Sequence, residues 1–137
     1  TQVLFRDSFL LACRKGTTLV DPAKFSVDQL NPESVLLLED GHCLRDHAVS
    51  ACHIRELDKV NRFAASSLHT LLEMVESDLG ITFVPAMARD SALLRGTHIA
   101  TYPVRSAGHR DIALVWRKGS SHGEGFRTLG NFIRENH

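Results

Sequence analysis

No apolar run in this chain approaches the roughly 18 residues that a membrane-crossing helix needs. No Lys/Arg cluster forms a stripe able to follow a phosphate backbone, and the 16 basic residues are matched by 16 acidic ones. Without net charge to draw it to nucleic acid or an anionic membrane surface, this stretch is not expected to bind DNA by itself. Cysteine is scarce and odd in number: three residues, with no Cys-x-x-Cys pair and no secreted-type spacing. That excludes a disulfide-built extracellular scaffold and favours a reducing cytoplasm in which any disulfide is transient. Internal repeats, low-complexity tracts and long Gly/Ser linkers are also missing. The chain does not begin with Met, and Thr1 to Arg6 lack the layout of a signal peptide. It reads as a piece excised from something longer.

What is present is an ordinary globular composition: 137 residues, 43% hydrophobic and 23% charged. A chain of this length buries about two thirds of its unfolded surface. Val3 to Arg14 is rich in apolar, β-branched and aromatic residues and predicts one or two strands with a break near Asp7. Turn signals at Asp21-Pro22 and Asn31-Pro32 bracket a short helical turn at Val27 to Leu30. Val35 to Leu38 is a short continuous apolar run closed by Asp40-Gly41, which suits a strand covered on both faces. A short, weak helix is expected over Leu44 to Ala51, because Val49 and Ser50 lower its propensity. Arg62 to Ala64 reads as a strand. Ser66 or Ser67 then caps a helix carrying Leu68, Leu71, Leu72, Val75 and Leu79 at helical spacing, stopped by Gly80. Ile81 to Val84 is the next strand, and Pro85 opens a further helix. His98 to Tyr102, stopped by Pro103, and Asp111 to Arg117 are expected strands, the second with Ile112, Leu114 and Trp116 on one face. A closing helix over Glu124 to Glu135 places Phe126, Leu129, Phe132 and Ile133 inward. Strands alternating with helices predict an α/β fold with a mainly parallel sheet and flanking helices, whose ligand site lies at the carboxyl ends of the strands.

Cys43 and Cys52 lie nine residues apart, at the two ends of the short helix. Intact, that helix separates them by about 13 Å of rise, whereas a disulfide needs Cα atoms within about 7 Å. The segment cannot be both helical and cross-linked, which is the physics of a redox switch. Cys43 falls at the helix start, beside His42 and Arg45. Unpaired N–H groups and a neighbouring cation favour the reactive thiolate there, and Asp46 is placed either to orient Arg45 or to relay a proton. Such a thiolate attacks hydrogen peroxide to give a sulfenic acid, which a second thiol condenses to a disulfide. Cys52 is the only near candidate. A closed loop of this size restricts the unfolded chain by about 2.7 kcal/mol, less any native strain, so the bond is expected to be reversible by the glutathione pool.

Other readings stand beside this one. Free cysteines are usually small apolar core residues, and Cys13, within Phe9-Leu10-Leu11-Ala12-Cys13, reads as one. Cys43, His47, Cys52 and His53 have the donor types of a metal site, but the helix that aligns the first two sends Cys52 away, so no metal or cofactor is expected. The remaining histidines, His69, His98, His109, His122 and His137, carry no ligand spacing. The Ser66-Ser67 helix start offers itself to a carboxylate or sulfate, or simply caps. A peroxide-consuming enzyme would place its cysteine in a Pro-x-x-x-Thr/Ser-x-x-Cys setting. Here Asp40 stands three before Cys43, against an enzyme.

Gly41-His42-Cys43-Leu44-Arg45-Asp46, the second cysteine at Cys52, Ser66-Ser67-Leu68-His69-Thr70-Leu71 and Gly80-Ile81-Thr82-Phe83-Val84-Pro85-Ala86 together resemble the peroxide-sensing members of the LysR family of bacterial transcription regulators. The Gly-Ile-Thr-x-x-Pro segment is general to that family; the Gly-His-Cys-Leu-Arg-Asp motif with a cysteine nine further on is particular to its peroxide sensors. The resemblance implies that Cys43 is the peroxidatic residue, Cys52 its disulfide partner, His42 a hydrogen-bonding neighbour and Arg110 the arginine that stabilises the thiolate. It implies a periplasmic-binding-protein-like (type 2) effector domain, with residues 8–108 forming the second subdomain and residues 1–7 and 109–137 the remaining part of the first. It further implies homodimers and homotetramers, DNA contact only through a winged-helix domain absent from this chain, contact with RNA polymerase, and reduction by thiols such as glutaredoxin or glutathione. The opening units of the first subdomain, which in the family supply a threonine near the peroxide, are also absent. Glu76-Ser77-Asp78-Leu79 departs from the small-residue turn usual before the Gly-Ile-Thr strand, with an altered helix end expected. The rival from the same family is a domain that binds a small carboxylate, its cysteines incidental.

Overall fold

The computed structural model describes residues 1–105 and 108–137. Its organising element is one 13-residue strand, β1 (Gln2–Arg14). The break expected near Asp7 is not there, because the carboxylate that would interrupt an apolar strand is buried against an arginine. Three further strands follow, β2 (Thr82–Pro85), β3 (Ile99–Pro103) and β4 (His109–Leu114), with helices α1 (Cys43–Ala51), α2 (Leu68–Glu76) and α3 (Gly123–Glu135). β1 lies between β2 and β3, and β4 also pairs with it. Leu11 stands opposite both Phe83 of β2 and Tyr102 of β3.

The α/β class expected from the alternation is present, but the sheet is mixed rather than mainly parallel. Both β2 and β3 run antiparallel to β1, although the connection from β1 to β2 carries both α1 and α2. The parallel contacts are single bridges, Val35 to Val60 and Ile81, and Leu38 to Ala65, at segments that the helices do connect. Val35 to Leu38 therefore meets its neighbours through isolated bridges and single backbone hydrogen bonds rather than through a continuous ladder. Arg62 to Ala64 is not a strand: Phe63 is 76% exposed, and the segment lies between the separate bridges made by Val60 and Ala65.

The chain divides into two compact units, Ser8–Gly108 and a second made of Thr1–Asp7 with His109–His137. In the larger unit the pleat of β1 sends Phe9, Leu11 and Cys13 to one core and Leu10 and Ala12 to another. The first core is closed by α1 through Ala48 and Ala51, with Ile54 just beyond the helix. The second is closed by α2 through Leu71, Leu72 and Val75. Ser67 caps α2, its hydroxyl accepting from the Thr70 amide. The helix ends before Gly80: Asp78 takes the left-handed turn at φ 58°, so Leu79 falls off the apolar stripe and is exposed. Gly80 has a different task, since a Cβ there would meet the Ser34 carbonyl at 2.7 Å. After Pro85 the chain makes only a single tight turn, Ala86–Ala88.

In the smaller unit, Trp116 packs on Phe126 and Phe5 stacks on His137. Leu129 and Phe132 of α3, expected inward, are exposed, because among the described residues nothing covers that side of the helix.

Candidate functional site

Glu39 to Cys52 hold the site candidates of the larger unit. The buried run ends at Leu38, Gly41 turns with φ 92°, and His42 enters α1 as its N-cap without a side-chain cap bond. Cys43 is the first helical residue and is exposed. Its amide belongs to the first turn, in which the Arg45 amide donates to the His42 carbonyl at 2.9 Å while the first N–H groups of a helix lack acceptors within it and make an electropositive end. Asp46 adds the first-turn carboxylate.

Arg45 does not stand free beside the sulfur. Its Nη1 donates to the Leu38 carbonyl at 2.9 Å and its Nε pairs with Asp40 Oδ1 at 2.8 Å. It is Asp40, then, and not Asp46, that orients this guanidinium. The arginine thereby ties the helix start to the end of the buried run.

Cys52 is at the opposite end of α1, at its C-cap, 2% exposed and packed in the core with Phe9, Leu11 and Phe83. Burial pushes its thiol up to about 12 from the ordinary 9.0. Both cysteines are free thiols, and nine residues of helix put about 13 Å of rise between them. Cys13 is likewise buried, and its thiol is raised by burial and then by the charge of Asp78.

The end of α1 is closed with care. The carbonyls of Ala48, Val49 and Ser50 accept from the amides of Cys52, Ile54 and His53, and that of Ala51 accepts from Gly108 at 2.7 Å. His53 holds a left-handed conformation, φ 53°, to make this turn. A Cβ on Gly108 would stand 3.1 Å from Ala51 Cα, so only glycine approaches without displacement. Among the described residues no group of three His, Cys, Asp or Glu side chains is placed to hold a metal ion.

Arg110 belongs to the smaller unit. There its Nε and Nη2 both reach Asp7 Oδ2, at 3.0 and 2.9 Å, and the Asp7 side chain is only 3% exposed. Residue-by-residue reading missed Asp7, Asp40 and Gly108. The signal for Asp7 was in view: a carboxylate inside a run of apolar β-formers needs a cation. Nothing local marks Gly108, whose partner is distant in sequence.

A short helix with a free thiol at each end, in an α/β fold built around one long strand, is the architecture to be compared with known regulatory domains. The sequence profile described as the LysR substrate binding domain matches residues 1–137, and the chain belongs to that family. Its fold is that of an OxyR regulatory domain: the reduced form of that domain of OxyR2 from Vibrio vulnificus superposes with a TM-score of 0.88 at 40% identity, over 98% of this chain and 63% of that one. Among curated proteins, the HTH-type transcriptional regulator EstR of Acinetobacter baylyi is 45% identical over 96 residues, 69% of this chain and 32% of that protein. The hydrogen peroxide-inducible genes activator of Haemophilus influenzae is 37% identical over 122 residues, 85% of this chain and 39% of that protein. The chain thus spans about a third to two fifths of the length of these curated relatives. These relatives are transcription regulators. Among the described residues no helix is long and apolar enough to cross a membrane.

Proposed function

We propose that this chain is the regulatory part of a cytoplasmic, peroxide-sensing transcription activator, with α1 as its switch. The observation that carries the reading is the placement of two free thiols at opposite ends of one nine-residue helix, one exposed and one buried. The Cys43 thiolate attacks one oxygen of hydrogen peroxide; the O–O bond breaks, hydroxide leaves and takes up a proton, and the sulfur is oxidised to sulfenic acid. The Cys52 sulfur then attacks the Cys43 sulfur, a second water leaves, and the S–S bond forms. His42 and Asp46 flank the reacting sulfur in sequence, and Arg45 fixes the helix start beneath it. Arg110, which the family resemblance links to the thiolate, is held within the smaller unit by Asp7.

Burial supports a gate between the two steps. A thiol near 12 is protonated at neutral pH and a poor nucleophile, so Cys52 reacts once α1 unwinds and returns it to water. The residues that α1 buries fully are alanines, Ala48 and Ala51, while Leu44 and Val49 pack on the core only partly buried, so the apolar area holding the helix down is modest. In the longer protein the two redox states differ in the free energy of the homodimer and homotetramer interfaces, which alters DNA contacts and recruitment of RNA polymerase. Glutaredoxin or glutathione resets the bond.

A brief peroxide pulse followed by acid quench and peptide mass spectrometry tests this. A Cys43–Cys52 bridge is expected, and Cys52→Ser should leave Cys43 carrying added oxygen with no internal bridge. Three unmodified thiols would overturn the sensing role in favour of a small-effector domain, and continuous peroxide consumption with a reductant would indicate an enzyme.

A further inference from the structure

The larger unit contains a cavity of about 320 Å³ behind the C-terminal end of α1, which the switch chemistry does not use. Its lining includes Cys52 and His53, the apolar Phe25 and Val104, and two exposed arginines, Arg55 and Arg105. The volume is that of a small-molecule pocket. Its walls are chemically divided. Phe25, backed by Phe83 at 5.8 Å between ring centroids, and Val104 offer apolar surface, while two guanidinium groups face a single lining carboxylate, Asp28. Neither arginine forms an ion pair among the described residues. Arg105 also lines the adjoining cavity with Lys24, which extends the positive rim.

A helix C-terminus normally repels an anion. Here the carbonyls of Ala48 through Ala51 each accept a hydrogen bond, so the negative end is largely satisfied and the two guanidinium groups, without an ion pair among the described residues, set the local sign.

We propose that this cavity binds a small organic carboxylate, and that its occupancy holds Cys52 in the closed, helical state. The ligand's carboxylate meets Arg55 and Arg105 and its apolar body lies against Phe25 and Val104. Cys52 and His53 supply a wall only while the end of α1 is folded, so a ligand that touches them binds the closed form better than the open one. Such a ligand suppresses opening by the factor 1 + [L]/Kd, about a hundredfold when it is present at a hundred times its Kd. The regulatory consequence, slower disulfide formation when the carboxylate is abundant, rests on the peroxide-sensing reading; the binding does not.

The test uses the reduced chain and benzoate as probe, with benzamide as its uncharged counterpart and sulfate as a bare anion. Alkylation of Cys52 by N-ethylmaleimide, followed by peptide mass spectrometry, reports opening of α1 without any peroxide. Benzoate should slow alkylation of Cys52 in a saturable way and leave Cys43 alkylation unchanged. Arg105→Gln and Arg55→Gln, both at exposed positions, should each weaken the protection at least tenfold in apparent Kd, measured against each variant's own rate without benzoate. Absence of protection up to tens of millimolar, or equal protection by benzamide or sulfate, would overturn the assignment. Protection by benzoate in a chain that never forms the Cys43–Cys52 bridge would leave this site standing and remove the sensing role. A bridge that forms at a rate indifferent to benzoate, with Cys52 unprotected, would do the reverse.

Discussion

The amide of Gly108 donates to the carbonyl of Ala51 at 2.7 Å, and this bond closes the last turn of α1 from outside the helix. It ties the segment carrying Cys52 to the residue at which the larger unit ends. Gly108→Ala forces a Cβ to within 3.1 Å of Ala51 Cα. Overpacking of this kind costs about 1 kcal/mol or more, and the loss should fall on the end of α1. Faster Cys52 alkylation in the variant, with Cys43 unchanged, is the expected result.

The three thiols should react in order. Cys43 is exposed, whereas Cys13 and Cys52 are buried, so a neutral alkylating reagent should modify Cys43 first and the other two only as the fold opens. Burial raises the Cys52 thiol from 9.0 to about 12 in the folded chain. The folded state keeps a proton that the unfolded state releases. Its contribution to stability is therefore complete below about pH 9, declines above it as the unfolded thiol ionises, and is lost as pH rises through about 12. Denaturation midpoints from pH 8 upward should fall less steeply in Cys52→Ala than in the parent chain.

Arg45 and Asp40 form a short pair with unequal stakes. Asp40 is 96% exposed on its side chain, and Arg45 also serves the carbonyl of buried Leu38. Asp40→Asn should change stability by no more than about 0.5 kcal/mol. Arg45→Ala removes the carbonyl's side-chain partner and should cost about 1–3 kcal/mol. Urea denaturation of both variants measures the contrast; equal effects would mean that the ion pair, not the carbonyl bond, sets the helix start.

His98 anchors the beginning of β3 to Glu76 at the end of α2, through its Nδ1 at 2.8 Å and its backbone amide at 2.9 Å. The hydrogen bond from the His98 side chain is the largest cause holding the Glu76 carboxyl below its usual range. A lowered carboxyl stabilises the fold above its unfolded value, and that contribution is lost as pH falls through the folded one. Glu76→Gln should flatten the acid limb of the stability profile while leaving the alkaline limb unchanged, read by thermal melts across the acid range.

How much of this was legible in the residues depends on how local each cause is. The start of α2 could be read because Ser67 precedes Leu68, Leu71, Leu72 and Val75 at helical spacing. Its end could not, because a non-glycine residue, Asp78, takes the left-handed turn that Gly80 was expected to supply. Cys43 and Cys52 were identified as the ends of one helix, since a turn at Gly41 and a short run of helix formers are local facts. The partners of Arg45 and Arg110 were not, because Asp40 and Asp7 acquire meaning only when the chain brings them within bonding distance. Composition favoured a strand at Arg62 to Ala64, yet a strand needs a neighbour to pair with, and the bridges fall to either side, at Val60 and Ala65. Alternation of strands and helices correctly indicated the class of fold, and it misjudged β1 because helices lying between two strands in the chain, as α1 and α2 lie between β1 and β2, do not by themselves fix the strands' relative direction.

The two alanines that α1 sets into its core, Ala48 and Ala51, bear on reversibility. A methyl group has no rotamer to recover and no shaped niche to find again, so a segment whose fully buried contacts are methyls, with Leu44 and Val49 only partly covered, can leave and return without jamming on the way back. α2, seated on Leu71, Leu72 and Val75, would leave a deep hollow behind it and would have to reinsert three branched side chains in register. The contrast makes α1 the piece of this fold best suited to repeated use.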